Sequence, residues 1–131
     1  MILLDTHIWV WYVNASTDLD APDRALIESS RHAGIGVSII SCWEVAKLVE
    51  LQRIELSVPT LQWIEQALAV DGVLPLPITP EIIVDSTTLP GDFHRDPADQ
   101  LIVATSRVHN VPLLTKDGKI LKYPHVTIAS P

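Results

Sequence analysis

The chain lacks the residues that would hold it together covalently or place it in a membrane. Its 131 residues include one cysteine, Cys42, so no internal disulfide can form. A sequence with so little cysteine is typical of a reducing compartment. No apolar run approaches the roughly 18–20 residues that span a bilayer, and no basic segment precedes the apolar residues 1–4. We therefore expect a soluble cytoplasmic protein that does not associate with a membrane.

Several common catalytic and cofactor motifs are also missing. There is no glycine-rich phosphate loop of the dinucleotide or P-loop kind, and no Gly-x-Ser-x-Gly nucleophile elbow. The five histidines are dispersed and have no cysteine pair beside them, which excludes the usual zinc spacings. The sequence therefore does not indicate a nucleotide-cofactor enzyme, a serine hydrolase of that type or a zinc protein.

Positive charge is scarce as well. Nine Lys and Arg residues stand against 16 Asp and Glu residues, which gives a net charge of −7. A protein that grips nucleic acid by charge alone needs the opposite balance. Either the chain does not bind nucleic acid, or part of its negative charge gathers where divalent cations neutralise it.

Short apolar runs alternate with helical periods along the whole chain. Hydrophobic residues make up 47% of the sequence, and its length suits one domain over residues 1–131. Such alternation predicts a mostly parallel sheet with helices on both faces, the 73–78 strand lying at an edge because of its prolines. We predict strands at residues 2–5, 37–40, 73–78, 111–115 and 126–128, and helices at residues 8–13, 21–33, 41–51, 60–70, 79–89 and 96–110.

Four carboxylates occupy comparable places in this arrangement. Asp5 ends the first strand, Glu44 lies in the first turn of the helix after the second strand, and Asp117 follows the strand at 111–115. Asp99 lies in the first turn of the helix before that strand. Ligands of such sheets bind beyond the carboxyl ends of the strands. Oxygen ligands at this density favour Mg²⁺ or Mn²⁺.

Each of these residues also has a structural interpretation, and none would indicate a site alone. Helix caps and tight turns use the same polar residues as metal sites do. The alternatives are an N-cap at Asp5 or Thr6, a capping box of Ser41 and Glu44, an N-cap at Asp96 ahead of Asp99, and a turn at Asp117. Only the joint placement of the four carboxylates favours a metal site.

Four segments in order resemble the PIN-domain family. They are Ile-Leu-Leu-Asp-Thr-His at 2–7, Ser-Cys-Trp-Glu-Val-Ala-Lys at 41–47, His-Arg-Asp-Pro-Ala-Asp-Gln-Leu-Ile-Val-Ala-Thr-Ser at 94–106, and Leu-Leu-Thr-Lys-Asp at 113–117. The resemblance spans residues 2–128 and is closest to the toxin nucleases of VapBC-type toxin–antitoxin pairs. It implies a three-layer α/β/α fold with a central, mostly parallel sheet of four to five strands. Ala98 and Gln100 depart from the family pattern, which commonly has an aromatic residue and Arg at these positions.

The resemblance implies hydrolysis of RNA phosphodiester bonds with Mg²⁺ or Mn²⁺ as cofactor. The family's acidic positions fall on Asp5, Glu44, Asp99 and Asp117, of which we expect Asp5 and Asp99 to be the most direct ligands. Auxiliary roles fall on Thr6, Asp96 and Thr115. The family also implies a homodimer and a VapB-type antitoxin as partner.

The sequence also offers candidate residues for contacts with the RNA substrate and with a protein partner. We expect Trp9 and Trp43 in the core, Trp11 and Trp63 partly exposed, and an apolar partner-binding surface around residues 43–64. The candidates for RNA contact are Lys47, His94, Arg95, Lys116 and Lys119, with His7 beside them.

Two alternative functions remain. A phosphatase with Asp5 as nucleophile would normally have a second Asp two residues later, where His7 stands. A catalytically weak PIN-fold protein could act mainly by binding an antitoxin or another partner.

Overall fold

A computed structural model describes all 131 residues. Seven helices and four strands alternate along the chain, and none of the helices combines the length and the apolar character needed to cross a membrane. The elements are β1 (Ile2–Leu4), α1 (Thr6–Val13), α2 (Ala21–Ser29), β2 (Ile35–Ser38), α3 (Ile39–Glu50), α4 (Thr60–Leu68), β3 (Val73–Leu76), α5 (Pro80–Thr87), α6 (Pro97–His109), β4 (Leu113–Leu114) and α7 (Gly118–Leu121).

The four strands form one parallel sheet in the order β3-β2-β1-β4. Leu3 of β1 lies opposite Gly36 of β2 on one side and opposite Leu113 of β4 on the other. The predicted parallel sheet is confirmed, with β3 at an edge as its prolines indicated. The last predicted strand, residues 126–128, contributes only a bridge between Ile128 and Leu113.

Alternation of side chains along the strands divides the core into two layers. Ile2 and Leu4 point into a cluster that also contains Trp9 of α1, Ile27 of α2 and Trp63 of α4. On the other face, the neighbouring residue Leu3 packs in a cluster with residues of α6 and α7. The sheet is therefore covered on both faces, which gives the three-layer arrangement expected from the sequence.

Helix α3 begins earlier than predicted, at Ile39 rather than Ser41. The Ser38 hydroxyl is the N-cap and accepts a hydrogen bond from the Ile40 N–H at 3.2 Å. The β-branched residues at 39 and 40 suggested a strand, but they form the first turn of the helix. The proposed capping box of Ser41 and Glu44 is therefore wrong, because Glu44 is the sixth residue of α3.

Two of the four tryptophans lie elsewhere than expected. Trp9 is fully buried and Trp11 half-buried, as predicted, but Trp43 is 55% exposed and Trp63 is buried. Trp63 packs edge-on against Trp9. Ser41 lies on the buried side of α3. Trp43 is two residues further along, and two helical residues rotate the direction of the side chain by about 200°. That rotation carries Trp43 to the outer side.

Candidate active site

The carboxyl ends of β1 and β4 open into a cavity of about 420 Å³. Asp5 follows β1, Asp117 follows β4, and Glu44 and Asp99 reach the same cavity from α3 and α6. The structure therefore brings the four carboxylates together at the rim where the sequence placed them. The other lining residues are His7, Ile8, Trp11, Leu48, Arg53, Asp96 and Lys116.

Three of the four carboxylates form a tight cluster. One oxygen from each of Asp5, Glu44 and Asp99 lies within 4.8 Å of the other two. Oxygens on opposite sides of an octahedral Mg²⁺ lie about 4.2 Å apart, so this acidic triad has nearly the span of a single ion's ligand set. Asp117 lies in the same cavity but outside the triad. The donor set thus fits a hard divalent cation.

Asp5 is fixed from two sides. As the N-cap of α1, its Oδ1 accepts a hydrogen bond from the Thr6 N–H at 2.8 Å. Its Oδ2 accepts the Thr115 hydroxyl at 2.6 Å, and Thr115 Oγ1 in turn accepts the Asp117 N–H at 3.0 Å. Thr115 therefore connects Asp5 to the backbone of Asp117, which itself caps α7 through Lys119.

Glu44 is held by the first residue of α1. The Thr6 hydroxyl donates to Glu44 Oε1 at 2.5 Å and lies 2.9 Å from the Ser41 hydroxyl. Thr6 and Ser41 are both fully buried. Glu44 does not cap a helix. The contact with Thr6, between α1 and α3, directs its side chain into the cavity.

Asp99 projects from the first turn of α6, which Asp96 caps by accepting the Asp99 N–H at 3.1 Å. His94 Nε2 lies 2.6 Å from Asp99 Oδ2. The Gln100 side-chain amide donates to the His94 carbonyl at 3.2 Å and secures the loop before the helix. The N-cap predicted at Asp96 is confirmed, and Asp96 also lines the cavity.

Burial and mutual repulsion oppose full ionisation of the three triad carboxylates. Burial raises the pKa of Asp5, against the hydrogen bonds from Thr115 and Thr6. Burial is also the main cause that raises the pKa of Glu44 to about 7 and that of Asp99 to about 6, and the neighbouring carboxylate charges add to both shifts. A bound cation would relieve this repulsion, which again fits a metal site.

The predicted RNA-contact residues are placed in different surroundings. Lys116 lines the cavity, but its Nζ lies 2.7 Å from Asp23 Oδ2 and 3.5 Å from Asp20 Oδ2. His94 contacts Asp99, as described above. Of these candidates, His7 and Lys116 line the cavity, and only His94 contacts a triad carboxylate.

The remaining three candidates lie outside the cavity. Lys47 pairs with Glu50 at 2.5 Å and lies over the Trp43 ring. Arg95 lines a neighbouring cavity of about 530 Å³, and Lys119 lines another of about 250 Å³. Their assignment as RNA contacts stays a prediction.

The cavity is also lined by residues that were not predicted to belong to the site. Trp11 follows His7 by four residues and Ile8 by three, the two spacings that place side chains on one face of a helix. That spacing, directly after Asp5, was a usable signal for Trp11. Arg53 lies in the loop after α3 and belongs to no motif, so nothing in the sequence distinguished it.

Comparisons with known proteins agree with the fold. The family model described as "PIN domain" matches residues 2–126. The curated protein "Ribonuclease VapC22" of Mycobacterium tuberculosis is 35% identical over 125 residues, which cover 95% of this chain and 92% of that protein.

Solved structures with lower identity share the fold. VapBC2 from Rickettsia felis, bound to a DNA fragment from its promoter, has a TM-score of 0.72 at 18% identity and covers 98% of both chains. VapC20 of Mycobacterium tuberculosis, described as a toxin that cleaves the sarcin–ricin loop, has a TM-score of 0.69 at 16% identity. The match covers 99% of this chain and 100% of that one.

Proposed function

The chain belongs to the PIN-domain family, and we propose that it is a divalent-metal-dependent endoribonuclease, the toxin of a type II toxin–antitoxin pair. The observation that carries the chemistry is the triad of Asp5, Glu44 and Asp99, whose oxygens lie within 4.8 Å of one another. The similarity to "Ribonuclease VapC22" over nearly the whole chain supports RNA as substrate. We also propose that residues 1–131 form one PIN domain that works in the cytoplasm.

The triad would hold Mg²⁺ or Mn²⁺, with Asp117 as a further ligand, direct or through water. Such an ion, when bound, supplies positive charge for the phosphoryl oxygens and lowers the pKa of a water molecule. The Thr6 and Thr115 hydroxyls fix the orientation of Glu44 and Asp5 through the hydrogen bonds described above.

Asp117 has a second role in the proposed reaction. Its side chain lines the cavity beside the triad, and its Oδ1 accepts the Lys119 N–H at 2.8 Å. The carboxylate is therefore oriented, and its other oxygen can accept a proton from the attacking water. Beyond the cavity, Arg95 and Lys119 lie free to contact the RNA backbone.

Cleavage of a short labelled RNA tests the proposal. We expect cleavage with Mg²⁺ or Mn²⁺ and none in EDTA. Asp5→Asn and Asp99→Asn should each lower the rate by at least about 100-fold, since each removes a charged ligand. Asp18→Asn, at an exposed position outside the cavity, is the matched control and should cleave like the wild type. Cleavage that persists in EDTA or in both triad variants would contradict the metal-nuclease assignment.

A partner surface is available on helices α3 and α4. Trp43 and Leu51 are exposed by 55% and 52%, and Leu61 by 70%. These positions lie in the range around residues 43–64 where an apolar surface was expected, and exposed apolar patches are typical of protein interfaces. We propose that it serves a homodimer and that a VapB-type antitoxin binds the chain, in line with the VapBC complexes that share its fold.

Expression in a bacterial host tests the toxin assignment separately from the chemistry. The chain alone should arrest growth, and co-expression of the short neighbouring open reading frame should relieve the arrest and yield a complex. Growth arrest that Asp99→Asn does not relieve would show that toxicity is independent of cleavage. A wild-type chain that binds such a partner but cleaves no RNA would favour the catalytically weak alternative.

A further inference from the structure

Besides its carboxylates, the cavity is lined by His7, Trp11, Leu48 and Arg53, and we propose that these four residues form a wall that serves as a nucleobase subsite. In the proposal, an unstacked base next to the scissile phosphate stacks on the Trp11 ring, and the Arg53 guanidinium holds a phosphate of the same strand. The inference rests on the proposed ribonuclease function and identifies how the same cavity recognises its substrate.

Trp11 has the placement that a stacking platform requires. Trp11 packs against the hydrophobic core, is half-buried and also lines the cavity. The His7 ring lies beside it with a centroid separation of 6.0 Å. Trp11 and the three triad carboxylates line the same cavity. A base on the Trp11 ring and a phosphate at the triad can therefore belong to one RNA strand.

The other tryptophans serve elsewhere. Trp9 and Trp63 are buried in the core, and Trp43 is exposed on α3 outside the cavity. Trp11 is therefore the aromatic residue that this protein presents to a ligand in the cavity.

Arg53 has the free charge that a phosphate contact requires. Four of the nine cations have a carboxylate within 4 Å, and Arg24 stacks on Tyr12 and donates to the Ser16 carbonyl. The four cations with a carboxylate are Arg31, Lys47, Arg107 and Lys116. Of the remaining four, Arg53, Arg95, Lys119 and Lys122, only Arg53 lines the triad's cavity. An arginine that stays unpaired beside several carboxylates is well suited to an anionic ligand.

The combination favours RNA over a protein segment. An aromatic ring, an unpaired guanidinium and an acidic metal site match the base and the two phosphates of a nucleotide within one strand. An apolar side chain of a partner would use Trp11 and Leu48 but would leave Arg53 without a role. Single-stranded RNA is recognised by stacking of splayed bases on aromatic rings.

A coupling experiment between protein and RNA tests the stacking contact. Wild type and Trp11→Ala are compared on a cleaved RNA and on versions with an abasic nucleotide on either side of the cut bond. The abasic change on one side should raise the KM of the wild type by roughly tenfold, within the range of base–aromatic stacking. Trp11→Ala should raise KM on intact RNA by a similar factor and have no further effect on that abasic RNA. Trp11→Phe keeps a ring and should retain most of the affinity.

Salt dependence tests the phosphate contact. Each contact to a single strand contributes about −0.7 to the slope of log affinity against log salt concentration. Arg53→Gln should therefore flatten the slope of log(kcat/KM) by about 0.7, while Arg24→Gln, outside the cavity, leaves the slope unchanged. The Trp11 and Arg53 variants are checked by circular dichroism, and Trp11→Phe and Arg53→Gln keep the test valid if Trp11→Ala is poorly folded.

The outcomes separate this inference from the proposed function. The inference would be overturned if Trp11→Ala and the abasic nucleotide each raised KM and their effects multiplied when combined. It would also be overturned if an abasic nucleotide on neither side of the cut bond changed KM. Loss of partner binding in Trp11→Ala with unchanged RNA kinetics would also overturn it and assign the wall to a protein. A wild-type chain that cleaves no RNA in Mg²⁺ or Mn²⁺ overturns the proposed function, and the inference with it.

Discussion

Thr6 serves two of the candidate metal ligands at once. Its backbone N–H donates to Asp5 and its hydroxyl to Glu44. The residue is 1% exposed, so no water replaces either contact. A single residue at the start of α1 thus sets the orientation of two carboxylates that come from different elements.

Thr6→Val isolates the hydroxyl, because valine has nearly the same shape. The hydrogen bond from Thr6 opposes the rise in the pKa of Glu44, so its removal should raise that pKa further. Since changes to groups that orient metal ligands typically lower metal affinity by about 10- to 100-fold, we expect a loss of that order in Mn²⁺ affinity by calorimetry. Thr6→Ser should retain the wild-type affinity. Equal affinities for Thr6→Val and Thr6→Ser would contradict the role of the hydroxyl.

The site residues could be predicted from the sequence to different degrees. Asp5 and Asp117 follow strands, so the topology of a parallel sheet brings them to one rim. Glu44 was chosen because it lies beside that rim. Its alternative interpretation, a capping box with Ser41, was wrong because α3 starts two residues earlier than predicted. Arg53 could not be predicted, since its position depends on the path of a loop that carries no pattern of its own.

At the scale of elements, the start of α3 depends on one buried hydroxyl. Ser38 is 1% exposed and accepts the Ile40 N–H. Ser38→Ala should lower the free energy of unfolding by about 1 kcal/mol, the typical contribution of an N-cap. Urea unfolding measures the change, and Ser29→Ala at an exposed end of α2 is the control. Equal stabilities of the two variants would show that Ser38 does not cap the helix.

Element order and type could be predicted better than element ends. The alternation of strands and helices, the parallel sheet and the N-cap at Asp96 all followed from the sequence. The helix predicted at 21–33 ends at Ser29, and the strand at 126–128 is a single bridge. Such ends depend on tertiary contacts, such as the Thr127 carbonyl accepting the Leu113 N–H, which local patterns do not contain.

Lys116 joins two elements that are distant in sequence. Its Nζ lies 2.7 Å from Asp23, whose side chain is 3% exposed at the start of α2. Lys116→Met would leave that buried carboxylate without its cation. Breaking a fully buried pair costs about 3–5 kcal/mol, and since Lys116 is half-exposed we expect about 1–2 kcal/mol.

The reverse substitution should be milder. Asp23→Asn leaves the half-exposed Lys116 to solvent, so its effect on stability should be smaller than that of Lys116→Met. Adding Asp23→Asn to Lys116→Met should recover part of the loss, because it removes the buried charge. Thermal unfolding of the three variants checks this order, and a double variant less stable than Lys116→Met would contradict it.

At the scale of the whole molecule, the charges that make up the net charge of −7 are unevenly distributed. One cavity is lined by five carboxylates, of which two follow strands and three come from α3 and the start of α6: Asp5, Asp117, Glu44, Asp96 and Asp99. The acidic balance first argued against a nucleic-acid substrate. With a divalent cation in the cavity, much of the repulsion toward a phosphate would be removed.

Proton binding and metal binding should therefore both stabilise the folded state, but in opposite pH ranges. The pKa of Glu44 rises from 4.5 to about 7 on folding and that of Asp99 from 3.8 to about 6. Between about pH 4 and pH 7 the metal-free folded state consequently binds more protons than the unfolded chain. The stability from these protons is complete below the unfolded pKa values and is lost as pH rises through the folded ones.

In EDTA, the Tm should thus fall from about pH 5 to about pH 7.5. Mn²⁺ binds the ionised carboxylates of the folded state, so it should raise the Tm little at the lower pH and strongly at the higher pH. The variant with Glu44→Gln and Asp99→Asn is the matched control, because it keeps the shape of the site without its two titrating groups. It should show a weaker fall with pH and almost no response to Mn²⁺. Parallel curves for the wild type and this variant would mean that the cavity neither titrates nor binds metal as the geometry indicates.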